Sequence, residues 1–431
     1  MATTGSRLVQ TTWCLSTNGD VGIDIRTIQD GEVTAYERVL ELAFGEIPPP
    51  EHVSTWSTLL APDRSLAAQD GEEIVGGVAV VTMEMTAPGA VLPAGAVIAA
   101  GILPTHRRRG LLRRLILRQL TDMHDRGETI SALWASEWPI YGRFGFGVGT
   151  LSVRYELDRA HGAFARRSAP EGRVRLADVG AAFPLLPAVY DRFRPGQVGA
   201  PERPGGWWQH IFSDTVERRK GFSPLQVALW EPASGAPRRV EGYAVYRIRE
   251  DEDADGLACS EIWLLELIAE QPAGAEALWR YVLGIDLVTK LTAANRAVDD
   301  PLVHQLADAR RLRRRLTDGM WIRLVDVPGA LSRRRYRSEG AITLDVSDAS
   351  CPWNQGRFRL EAGPLGAECR PSDREPDLAL DAADLAAAYL GTTSFHSLAG
   401  AGHVVERSRG AVARADTLFG WAPAPWCPNV F

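Results

Sequence analysis

Little in this chain of 431 residues points to disulfides, metals or membranes. Its five cysteines, Cys14, Cys259, Cys351, Cys369 and Cys427, are odd in number and scattered, and none stands in a CxxC pair. That usage gives no disulfide framework and fits a reducing, cytoplasmic compartment. Eight histidines, with no HExxH and no Cys/His cluster, supply no ligand set, so no metal is expected. The opening "MATTGSRLVQTTW" lacks a charged stretch followed by an apolar one, so it is not a signal peptide. Residues 1–20 are expected to form a flexible extension. The longest apolar run, "GAVLPAGAVIAAGILP" (89–104), is broken by Pro93 and several glycines and is too short to cross a bilayer. Excess positive charge is missing too. A formal net charge of −6 argues against nucleic acid as a partner and favours cationic small molecules.

What is present is a globular composition, 45% hydrophobic and 24% charged, in a chain too long for one core. The patterning is α/β. Up to about residue 160 it predicts a helix over 34–45, two strands around Asp70-Gly71, a buried strand over 96–104, a helix from Gly110, a buried strand over 130–138 and an alternating strand over 150–157. From 161 to 325, "LQVALWE", "RVEGYAVYRIRE" and "CSEIWLLELIAE" read as strands and 273–287 as a helix, with the acidic 249–258 as a turn between two strands. The last part carries "RFRLEA" and an Ala-rich helix. Three packed domains are expected, over 1–160, 161–325 and 326–431.

The basic runs "RRLRRRL" (310–316) and "SRRRYR" (332–337) read as solvated faces. "AAGILPTHRRRGLLRRLI" (99–116) is different. A buried strand ends at Pro104, a basic turn follows, and Gly110 opens a helix. Free N–H groups at a helix start, with the positive end of the dipole, make an anion site. Arginines there oppose the dipole unless an anion joins them, so Arg107, Arg108, Arg109 and Arg113 suit a pyrophosphate or 3′-phosphate. The chain's last segment, "APAPWCPNVF" (422–431), is apolar and stiffened by Pro423, Pro425 and Pro428. A packed final arm and a functional arm both fit it.

"R-R-R-G-L-L" resembles the Q/R-x-x-G-x-G/A coenzyme loop of GCN5-related N-acetyltransferases (GNATs), departing at its final position, Leu112. "PTHRRRGLLR", "SEWPIYGRFGFG" (136–147), "DGMWIRLVDVPGAL" (318–331), "YLGTTSFHSLAGAG" (389–402) and the terminal phenylalanine together resemble the enhanced intracellular survival (Eis) family. The resemblance implies an α/β (α+β) fold of two GNAT-like domains, the first catalytic and the second without a coenzyme loop. A third domain, like sterol carrier proteins, would end in an active-site tail and hold no lipid. A homohexamer built as a dimer of trimers is implied as well.

By the same resemblance, acetyl-coenzyme A is the cosubstrate, held by Ala100, Gly101, Ile102, Arg108, Arg109, Gly110, Leu111, Leu112, Arg113, Ser136 and Glu137. The Ile102 N–H would polarise the thioester carbonyl. Tyr141 matches the general acid, although an aromatic packed beneath the "GRFGFG" turn explains it equally simply. The Phe431 α-carboxylate matches the general base, directly or through a water. Glu46 and Trp56 match the acceptor pocket, against the plainer readings of a solvated Glu and a core Trp. Trp138-Pro139 and Ala99 depart from the family pattern and are expected to reshape that pocket. The implied activity is N-acetylation of a primary amine on a cationic small molecule such as an aminoglycoside, polyamine or lysine-type acceptor. A dedicated biosynthetic or self-resistance acyltransferase, and a non-catalytic coenzyme or lipid scaffold, are the alternatives.

Overall fold

The computed structural model describes residues 22–46, 57–166, 170–233 and 239–431. The expected extension over 1–20 and Trp56 lie outside the described residues. Six strands come first: β1 (Ile23–Thr27), β2 (Ser65–Asp70), β3 (Glu73–Ala87), β4 (Ala90–Ile102), β5 (Ile130–Trp134) and β6 (Gly147–Val148). Next come β7 (Leu151–Asp158), β8 (Gly172–Ala177), β9 (Gln226–Pro232), β10 (Gly242–Arg249), β11 (Ser260–Ala269), β12 (Val288–Arg296), β13 (Arg313–Asp318) and β14 (Met320–Leu324). The last are β15 (Gly340–Ser347), β16 (Gly356–Gly363), β17 (Gly366–Pro371), β18 (Leu378–Asp381) and β19 (Val405–Glu406). They form three sheets, ordered β1-β2-β3-β4-β5-β14-β6, β13-β7-β12-β11-β10-β9-β8 and β17-β16-β15-β18-β19.

The sheet orders cross the expected boundary at 160 but not the one at 325. β7 was expected in the first domain but pairs with β12 and β13 of the second, and β14 pairs with β5 and β6 of the first. The crossing is fastened at one point, where Gly149 and Thr150 N–H both donate to Met320 O at 2.9 Å. A cut at 160 severs both of the first two sheets, because each of these domains lends the other a strand, whereas a cut at 325 divides none.

Local sequence explains the elements around the first sheet. Gly71, at φ +61°, closes the β2–β3 hairpin. β4 begins earlier than the expected residue 96 because β3 pairs with it along its full length, back to Ala87 opposite Ala90. Helix α1 (Val33–Ala43) buries Tyr36, Leu40 and Ala43. Helix α2 (Leu111–Asp125) buries Leu115, Ile116, Leu120 and Met123, as their three- and four-residue spacing predicts, but at its start the buried residue is Leu111 and not the expected Leu112.

One irregularity prepares the site. β4 and β5 are parallel and paired from Ala94–Ile130 to Val97–Leu133, and no further. β4 nevertheless runs on to Ile102. Ile98 is an extra residue opposite β3, since Ala79 pairs with Ala99 and Val80 with Val97. Such a bulge bends a strand and increases its twist, so β4 leaves β5 and a gap opens between them. Leu103 N–H donates to Val75 O at 2.9 Å. By antiparallel alternation, the Ala100 and Ile102 N–H groups therefore point away from β3, toward that gap.

The third domain docks on the first sheet through the helix Ala382–Tyr389. A Cβ on Gly147 would stand 2.1 Å from Ala383 O, so glycine is required at that contact. One apolar core runs from Ala79 and Ile98 through Ile322 to Leu385 and Phe431. Among the described residues no helix is long and apolar enough to cross a membrane.

Candidate active site

The gap between β4 and β5 opens outward into a cleft of about 800 Å³. Ala100, Gly101 and Ile102 form one wall, Ser136 and Glu137 the other. Arg108, Gly110, Leu111, Leu112 and Arg113 form its floor. Gly110 caps α2 at φ +77°, a conformation that costs an L-residue with a Cβ about 1–2 kcal/mol. It turns the chain so that the first N–H groups of α2 face the cleft.

Arg109 does not line the cleft. It sits 3.8 Å from Asp70 across the loop, which draws its guanidinium aside. Its place is taken by Arg107, which the resemblance had not singled out. Arg107 lines the cleft and donates to Ile102 O at 3.2 Å and Ala43 O at 2.5 Å, tying the loop to β4 and α1. Arg143 and Phe44 are further lining residues that the motif did not mark.

Behind the cleft lies a second cavity of about 490 Å³. The two adjoin, sharing Phe44, Ala100 and Ser136 in their walls. Tyr141 and Phe431 both line the inner cavity, and so does Glu46. Glu37 and Glu41 join Glu46 from α1, facing Val97, Ile98 and Ala99. Acidic residues one helical turn apart on the apolar side of α1 were the legible signal for them. Trp138 and Pro139, expected to reshape the pocket, line neither cavity. Trp138 is 62% exposed and packs edge-on against Trp321 at 4.9 Å. Ala99 does line the inner cavity, so that departure changes its wall.

Tyr141 ends a short helix, α3 (Trp138–Tyr141), and is 5% exposed. Burial raises its phenol above the ordinary value, opposed in part by a hydrogen bond with Ser136. Its ring also packs edge-on to Phe146 at 6.1 Å, so the turn-packing reading and the cavity position hold together.

The terminal segment has neither helix nor strand. Trp426, Cys427 and Phe431 are buried. Ala424 is held at both ends of its peptide unit: its N–H donates to Asp299 at 2.7 Å, and its carbonyl accepts from Gln197 at 3.0 Å. Trp426 N–H donates to Val198 O at 2.8 Å. The Phe431 ring meets Trp207 edge-on at 5.9 Å.

The second domain adds His210, which no motif marked. It is 7% exposed, lines the inner cavity and touches the other side of Trp207 at 6.1 Å. Burial, with the Arg218 charge, lowers its pKa to about 4, so the imidazole is neutral at physiological pH. In the unfolded chain it would titrate near 6.5. Between those values the unfolded state binds more protons, so stability falls as pH drops from about 6.5 to about 4. His210 accounts for about 2–3 kcal/mol of that loss by linkage. Denaturant unfolding at pH 7 and pH 4.5 checks this: His210→Gln should show a smaller difference between the two than the native chain.

Among the described residues no group of three or more His, Cys, Asp or Glu is placed to hold a metal. Comparison with known proteins accords with the geometry. Acetyltransferase (GNAT) domain models match residues 24–149 and 199–324, and a sterol carrier protein domain model matches 327–428. A Streptomyces avermitilis protein named as an uncharacterised N-acetyltransferase is 38% identical over 95% of this chain and 99% of its own. N-acetyltransferase Eis of Mycobacterium tuberculosis is 31% identical over 88% of this chain and 92% of its own. The crystal structure of Eis1 from Mycobacterium abscessus is similar with a TM-score of 0.82 at 32% identity, covering 95% of this chain and all of that one.

Proposed function

Because the chain belongs to the Eis family of GCN5-related N-acetyltransferases, we propose that it moves the acetyl group of acetyl-coenzyme A to a primary amine of a cationic small molecule. The transfer is direct, with Tyr141 as general acid and the Phe431 α-carboxylate as general base. The observation that carries this reading is the shared lining of Phe44, Ala100 and Ser136, where a cleft with a cationic loop adjoins a cavity whose wall holds both Tyr141 and Phe431.

The cleft suits the coenzyme. Ala100 and Ile102 offer backbone groups to an extended pantetheine arm, and the start of α2 with Arg108 and Arg113 suits its phosphates. In the reaction the amine nitrogen bonds to the thioester carbonyl carbon and the carbon–sulfur bond breaks. The Ile102 N–H stabilises the developing oxyanion. Before attack the Phe431 carboxylate takes a proton from the bound ammonium and passes it to solvent. After attack the departing thiolate takes the Tyr141 proton. The second proton, shed by the nitrogen to Phe431, restores the phenol through solvent, giving an amide, free coenzyme A and one released proton.

The inner cavity supports an amine acceptor. Glu37, Glu41 and Glu46 attract an ammonium, while Leu40, Val97, Ile98 and Val430 are apolar. The apolar part of the wall disfavours the charged forms of both amine and carboxylate and narrows the gap between their pKa values, while the acidic part binds the amine in its charged form. The test is coenzyme A release across kanamycin-type aminoglycosides, polyamines, lysine-bearing peptides and arylalkylamines. Release should depend on the amine and differ by roughly tenfold or more across the panel, the scale of poorly matched contacts. Release independent of any amine, or equal for all, would contradict the proposal.

A further inference from the structure

The second sheet repeats the parting of the first. β11 and β12 are parallel and paired only as far as Leu264 opposite Ala293. β11 then runs on to Ala269, as β4 runs on to Ile102. The bulge falls at the same place: Leu265 is the extra residue of β11, as Ile98 is of β4. The gap beyond Leu264 and Ala293 is thus the second domain's counterpart of the outer cleft.

It is not built for phosphates. Between β11 and the helix Pro272–Leu283 stand only Glu270 and Gln271, where the first domain has the basic loop over 103–110. Glu270 itself is paired with Arg192 and Arg239.

The chain's own terminal segment fills this gap, bonded directly to β12 and linked to β11 through Arg203. On β12, the Asn295 amide donates to Cys427 O and to Pro428 O, each at 3.0 Å. The Ser152 hydroxyl donates to Asn295 Oδ1 at 3.0 Å, which fixes the amide's orientation. Trp426 Nε1 donates to Asn295 O at 3.1 Å, and its indole packs in one cluster with Ile268 of β11. On β11, Glu266 accepts from Arg203 at 2.6 Å, and the same guanidinium donates to Asn429 Oδ1 at 2.8 Å. Arg203 is 6% exposed and lies over the Tyr190 ring at 3.9 Å, so this contact is shielded from water.

We infer that the second domain keeps its coenzyme-type gap as a binding site for the chain's own segment Trp426–Asn429, with Asn295 and Arg203 as positioning residues that aim Phe431 into the first domain. The aiming role rests on the reading of Phe431 as the base; the binding role does not. It gives the second domain a use in catalysis without a coenzyme of its own. The segment acts there as a peptide ligand supplied in cis.

Two variants of the full chain test it. Asn295 stands at φ +53°, which glycine adopts without strain, so Asn295→Gly removes the amide donor and spares the backbone. Asn429→Ala removes the Arg203 contact from the tail side. Carboxypeptidase release of Phe431 should quicken by roughly tenfold in each, the scale of one or two lost buried hydrogen bonds. kcat should fall by a similar factor, with KM for acetyl-coenzyme A unchanged. Release as slow as in the native chain, in variants that still bind coenzyme A, would overturn the binding site. Faster release with unaltered kcat would leave the binding site standing and overturn Phe431 as the base.

Discussion

One glycine added after Phe431 is expected to lower kcat by roughly 10²- to 10⁴-fold, the range of a lost general base. The added residue moves the carboxylate by about 3.5 Å. It must also be housed in a cavity whose volume is only about 490 Å³. Phe431 is 9% exposed and braced on Trp207, so it has little freedom to compensate. An α-carboxyl near ~3.5 faces an ammonium near ~9–10, a gap of about 8 kcal/mol that only a fixed, poorly solvated pair can narrow. Steady-state kinetics separate this from misfolding. Phe431 does not line the outer cleft, so KM for acetyl-coenzyme A should stay the same. The bonds to Ala424 and Trp426 also remain, so the melting temperature should change little. A matched N-terminal glycine is expected to have no effect.

Tyr141→Phe is the second large effect, a fall in kcat of about 10²-fold or more. A phenol of ordinary pKa protonates a thiolate uphill by about 2 kcal/mol. Burial lifts the Tyr141 phenol further, which keeps it protonated throughout the neutral range. The same apolar surroundings raise the pKa of a thiolate leaving beside it, so the step is not made harder in proportion. Phenylalanine keeps the packing on Phe146 and loses only the proton and the bond with Ser136. Coenzyme binding should persist, while amine-dependent release of coenzyme A slows by the same factor. A kcat within a factor of two or so of native would remove Tyr141 from the mechanism.

The fold was legible where one stretch of chain decides one element. The stripe of Leu115, Ile116, Leu120 and Met123 gives α2 directly, and Gly110 marks its start. The arginine loop and the tail could be read because their residue types conflict with their surroundings, cations at a helix start and an apolar end to the chain. The strand exchange could not. β7 alternates as any half-buried strand does and β14 is buried throughout, and nothing in either names the sheet it joins. Arg107 and Arg109 are identical residues two positions apart, and only the fold, which brings Asp70 to within 3.8 Å of Arg109 and Ile102 O to Arg107, tells them apart. His210 and Asn295 reach the tail and cavity only through packing between domains. Their sequence neighbourhoods give no sign of it.

Coenzyme A release by a chain whose Phe431 carboxylate is converted to the primary amide by peptide ligation tests the central claim most directly. The change removes the negative charge and leaves every side chain where it is. With Phe431 as the base, turnover should fall about a hundredfold or more below that of the ligated native chain, with acetyl-coenzyme A affinity unchanged. Turnover equal to native would contradict it.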